Sequence, residues 1–131
     1  MLIKKLLAPT RVRKIQGSFS WVDHRLITGG FLADLSTTEI LLYLFLVAVC
    51  DRNGISFYHQ DKIASLLKID LASLGRAREG LVQRSLLAYE PPLYQILSLP
   101  SRPVIPPTPE EIIAGQRKTA LQAIRKIQEA L

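Results

Sequence analysis

The sequence predicts a mainly α fold carrying a small β-hairpin, and three observations predict it. The eleven-residue apolar run from Ile40 to Cys50 stands directly behind a helix-start signal. Residues 60–85 hold two short amphipathic helices separated by Lys68-Ile69-Asp70. Two strand-like segments, Leu86 to Tyr89 and Tyr94 to Leu99, then flank Glu90-Pro91-Pro92-Leu93. In a chain of 131 residues, 48% of them apolar, this is one domain with appendages and enough material for a packed core.

Taken in order, residues 1–35 read as a basic N-terminal arm and extended segment. Arg11 to Val22 alternates loosely, with Val12, Ile15, Phe19 and Trp21 apolar. Phe19 and Trp21 are expected to pack against the following helix. Ser36-Thr37-Thr38-Glu39 is a capping box: the serine hydroxyl accepts from the Glu39 amide and the glutamate reaches back to the serine amide. A helix is therefore expected from Thr37 to about Cys50. Nearly all its faces are apolar, so it reads as the buried spine. Asp51-Arg52-Asn53-Gly54 ends it, with Gly54 suited to a left-handed turn. Ile55 to Tyr58 is β-prone, with Phe57 expected to point into the core.

The first amphipathic helix, Gln60 to Leu67, places Ile63, Ala64 and Leu67 on one face, and the small Ala64 permits a close helix crossing. The second, Leu71 to Ser85, has apolar positions at Leu74, Ala77, Leu81 and Val82. Helix, three-residue turn, helix and hairpin is the order of a winged helix-turn-helix, here over residues 36–99. Residues 100–109 hold five prolines and read as a stiff linker. Residues 110–131 form a last helix, with Thr108 as N-cap, Pro109 in the first turn, and Glu110 and Glu111 against the positive helix end. Its apolar stripe, Ile113, Ala120, Ile124, Ile127 and Leu131, advances by seven, four, three and four residues. That is a heptad-like seam, expected to pair two copies of the chain or to dock a protein partner.

The net charge of +6 is unevenly placed. Residues 36–99 balance six basic against six acidic side chains, whereas Lys4, Lys5, Arg11, Arg13 and Lys14 in the arm have no acid among them. Salt-dependent attraction to phosphate would come largely from this arm. On the second amphipathic helix, Arg76 and Ser73 are candidates to read or position on DNA, and Arg78 and Arg84 to contact phosphates. The rest of its expected groove face is sparse, with Leu71, Ala72, Gly75 and Glu79, and the hairpin tip carries no base.

The segment "QDKIASLLKIDLASLGRAREGLVQRSLLAY" resembles the winged-helix families of bacterial regulators and of replication-initiation or primosome-loading proteins. The preceding "GSFSWVDHRLITGGFLADLSTTEILLYLFLVAVCDRNGISFY" is similar to small helix-turn-helix proteins carried near transposases on mobile elements. The resemblance implies a double-stranded DNA partner and a role in replication, transposition or transcription. The alternative class is a protein-interaction adaptor built on the same scaffold. A lysine, Lys68, stands where such turns usually have glycine.

No catalytic role is expected. His24 and His59 are 35 residues apart, without clustered acids, and adjacent Asp23 and His24 would diverge on a strand. Cys50 reads as an apolar filler, and Gly29-Gly30 lacks the lysine and helix of a phosphate loop. No cofactor or metal is implied. One cysteine excludes an internal disulfide and suits a reduced, cytoplasmic setting. No stretch reaches the roughly 20 apolar residues of a membrane span.

Overall fold

The structure is a computed structural model that describes residues 3–106 and 108–130. Five α-helices and three strands run in the order α1 (Arg25–Thr28), α2 (Thr37–Val49), β1 (Ile55–Phe57), α3 (Gln60–Leu67), α4 (Leu71–Gln83), β2 (Leu87–Glu90), β3 (Leu93–Ile96) and α5 (Pro109–Ala130). The strands form one antiparallel sheet in the order β1-β3-β2. This is a helix-rich fold with a small hairpin and an extra C-terminal helix, in the winged helix-turn-helix arrangement the sequence predicts.

Local chemistry sets the element boundaries. Ser36 Oγ accepts from the Glu39 amide at 3.2 Å, and Glu39 Oε1 accepts from the Ser36 amide at 2.8 Å. These bonds satisfy donors that the first turn of α2 leaves open. The helix ends at Cys50, and Gly54 (φ +84°) reverses the chain into β1. A Cβ at Gly54 would strike the Ile96 carbonyl oxygen. Lys68 caps α3 in the left-handed conformation (φ 59°), the position for which glycine is ordinarily used. Asp70 then caps α4 by accepting the Ser73 amide at 2.9 Å.

The core is one cluster in which Leu42 and Leu46 of α2, Ile63 of α3, and Leu74 and Leu81 of α4 are fully buried. It extends to Leu86, Leu87 and Tyr94 of the sheet region, and to Leu26, Phe31 and Leu35 ahead of α2. The packed body therefore takes in residues that read as part of the extended N-terminal segment.

Three side-chain expectations are corrected. Helix α2 is not buried all round: Leu41, Leu44 and Ala48, spaced three and four residues apart, form an exposed stripe opposite Leu42, Leu46 and Val47. Phe57 faces solvent, at 65% exposure. Pairing of Ser56 with Tyr94 and of Phe57 with Leu93 turns Ser56 inward, because alternate residues of a strand face opposite ways. Ser56 Oγ is buried without a hydrogen-bond partner among the described residues. Phe19 and Trp21 are also exposed, at 68% and 81%. Leu26, Phe31 and Leu35 supply the apolar packing there instead, and Ser20 ties the extended segment to the end of α2, donating to the Cys50 carbonyl at 3.3 Å.

Candidate nucleic-acid interface

Helix α4 buries Leu74, Ala77 and Leu81 and turns Leu71, Ala72, Arg76 and Glu79 outward. Helix α4 packs against α2 and α3 and leaves this second face uncovered. Arg76 is exposed, its Nη2 donating to Ser73 Oγ at 3.2 Å. Ser73 and Arg76 also line a shallow cleft of about 130 Å³ with Ser36 and Thr38, at the N-terminus of α2. Sequence spacing along α4 carries no sign of that neighbourhood, which arises from the crossing of α4 over α2.

The four basic or polar candidates on and beside α4 differ in what holds them. Arg78 is half-buried: Nη1 donates to Tyr94 Oη at 3.2 Å, and its guanidinium carbon lies 4.3 Å above the Tyr89 ring centroid. The two tyrosine rings are themselves 4.6 Å apart. Arg78 thereby clamps α4 to the hairpin through a hydrogen bond and a cation–π contact. Burial raises the Tyr94 phenol above its ordinary pKa, and the Arg78 hydrogen bond works in the other direction.

Arg84 corrects its expected role as a phosphate contact. Its Nη1 donates to Glu39 Oε2 at 2.7 Å and also to the Gly80 carbonyl, its Nε to Asp34 Oδ2 at 3.2 Å, and its Nη2 to the Asp34 carbonyl. Glu39 is only 7% exposed. A buried carboxylate is tolerable only when paired and hydrogen-bonded, and Arg84 supplies the pairing. Its guanidinium is committed within the chain. Gly80 belongs to the same arrangement, since a Cβ there would collide with Glu39 Oε2.

The arm cations stand free of this packing: Lys4, Lys5, Arg11, Arg13 and Lys14 are all exposed. The hairpin tip, Pro91-Pro92 joined by a cis peptide bond, presents no basic group. On the outer face of the sheet, Ile55, Phe57, Ala88 and Leu93 sit with Gln95 and Glu90.

Of the predicted seam residues, Ile113, Ala120, Ile124 and Ile127 are exposed on α5, and Leu131 lies outside the described residues. Thr108 Oγ1 accepts from the Glu111 amide at 3.2 Å and the Glu111 carboxylate accepts from the Thr108 amide at 3.1 Å, a second capping box. No helix among the described residues is long and apolar enough to cross a membrane.

Protein-family models, curated proteins and solved structures were all compared with the chain, and none matches it.

Proposed function

We propose that this chain is a DNA-binding winged-helix protein serving replication, transposition or transcriptional regulation of a bacterial or mobile-element locus, in a cytoplasmic setting. The observation that carries the reading is the outward face of α4, where Arg76 stands exposed beside Ser73 in the second turn of the helix that follows the helix-turn-helix turn. The second helix of such a unit lies in the major groove with its N-terminal residues toward base edges. An arginine there can fork onto guanine O6 and N7. The exposed arm cations add sequence-independent attraction to phosphate. With Arg84 committed to Glu39 and Asp34, the DNA-facing set becomes Ser73, Arg76, the open side of Arg78 and the arm.

Fluorescence anisotropy with a random duplex tests this at two salt concentrations. Binding tighter than about 100 μM at low salt is expected, and its absence there sinks the reading. Neutralising the five arm cations should flatten the plot of log affinity against log salt by roughly four. Arg76→Ala should weaken binding by about 1–3 kcal/mol on the preferred sequence.

A second reading is favoured by the side chains around Arg76. Leu71, Ala72 and Gly75 make much of the outward face of α4 apolar or bare, which suits a protein-docking adaptor. In that case Arg76→Ala leaves duplex binding unchanged, and Ile124→Asp on α5 abolishes partner capture.

A further inference from the structure

Asp70, Ser73, Arg76 and Glu79 follow one another at steps of three along α4 and its N-cap, so neighbours in the row stand about one turn apart. Arg76 has two directions open to it along that row. On its C-terminal side stands Glu79, whose carboxylate accepts from Gln83 Nε2 at 3.4 Å and forms no ion pair with Arg76 among the described residues. On its N-terminal side stands Ser73, and Arg76 turns that way, donating from Nη2 to Ser73 Oγ at 3.2 Å. Ser73 is held in turn, its amide donating to Asp70 Oδ1 at 2.9 Å. The bonds from Ser73, and to a lesser degree the charge of Arg76, keep the Asp70 carboxyl below its ordinary pKa. The guanidinium is thereby stationed over the first turns of α4, the end that leads into a groove. Glu39, which lines the same cleft, is committed to Arg84. The remaining N–H donors of Arg76 have no partner among the described residues.

We infer that Ser73 is a positioning residue: fixed by Asp70, it holds the Arg76 guanidinium ready for a duplex and does not itself touch the duplex. The inference rests on the DNA-binding reading and divides the roles within that face. An arginine already ordered in the free protein avoids the entropy loss that immobilising a free side chain entails on binding. The hydroxyl of Ser73 acts through Arg76, so its worth to binding disappears when Arg76 is removed.

Two measurements on the full-length chain test it, one without DNA and one with. In the free protein, NMR relaxation of the Arg76 side-chain Nε should report an ordered group, loosened in Ser73→Ala and restored in Ser73→Thr, which keeps the hydroxyl. An Arg76 Nε as mobile in the unaltered protein as in Ser73→Ala overturns the positioning role, whatever the protein binds. With duplex, fluorescence anisotropy of Ser73→Ala, Arg76→Ala and the double variant completes a thermodynamic cycle. Ser73→Ala should weaken binding about 3- to 10-fold while Arg76 is present and by under about twofold when it is absent, with Ser73→Thr close to the unaltered protein. A loss of the same size in both backgrounds overturns the inference, because Ser73 then meets the duplex directly. An unaltered protein that binds no duplex while its Arg76 Nε is still ordered sinks the DNA-binding reading, and with it the role of Ser73 in binding.

Discussion

Helices α4 and α5 are both amphipathic, yet they meet opposite ends. In α4, Leu74 and Leu81 are fully buried. In α5, Ile113, Ile124 and Ile127 remain 50% or more exposed. Residue type does not separate them, since both stripes are built from aliphatic side chains at helical spacing. Reach does. Three residues separate α4 from α3, and at its far end Arg84 ties it to Glu39 of α2 and to Asp34. Before α5 comes a proline-rich segment, and among the described residues nothing equivalent to Arg84 brings the helix back. An apolar stripe becomes core only where the chain can bring a second surface to it at small entropic cost.

The largest effect that would break this contrast lies in the core. Leu81→Ala should cost about 3–5 kcal/mol, because a fully buried leucine leaves a cavity. Ile124→Asp should leave the melting of the body unchanged. Urea unfolding followed at a body probe measures both, and a comparable loss from Ile124→Asp would mean that α5 packs on the domain. Next comes the tie itself. Arg84→Ala leaves Glu39 buried and unpaired, with an expected loss of about 2–4 kcal/mol. A loss under about 0.5 kcal/mol, the level of a solvent-exposed pair, would release Arg84 for an external role.

Two glycines sharpen the comparison within α4. Gly80→Ala drives a methyl into Glu39 Oε2 and should destabilise by about 1–3 kcal/mol, in the range of overpacking. At Gly75 the nearest atom to an added Cβ is Arg78 Nη2, at 3.9 Å. Gly75→Ala should therefore stabilise by about 0.5–1 kcal/mol. If it also weakens duplex binding, the bare backbone at Gly75 serves an approaching partner rather than the fold.

The smallest effect is in acid. The hydrogen bonds from Ser73 to the Asp70 carboxylate, side-chain first and backbone second, hold its pKa below the ordinary 3.8. A carboxyl depressed in the folded state contributes stability above its unfolded pKa and loses it as pH falls through the folded value. Melting temperatures of the protein and of Asp70→Asn should thus converge as pH falls below about 4.

What was legible in the sequence was mostly local. Ser36 and Glu39 stand three residues apart and announce α2, and the turn at residues 68–70 separates α3 from α4 as expected. The fates of individual side chains were not local. Arg84 meets Glu39 across 45 residues and Arg78 meets Tyr94 across 16. Neither separation has a periodicity to detect. Phe57 depended on strand register, which one step of slip would have reversed. Arg76, with only Ser73 as a side-chain hydrogen-bond partner among the described residues, is where residue spacing sufficed to place a candidate at the surface.

The length of α5 has a metric consequence. Its 22 residues rise about 33 Å as a straight helix, at about 1.5 Å each. Its far end therefore stands about 30 Å along the helix axis from the proline-rich segment at its root, a lever long enough to reach well past the packed body.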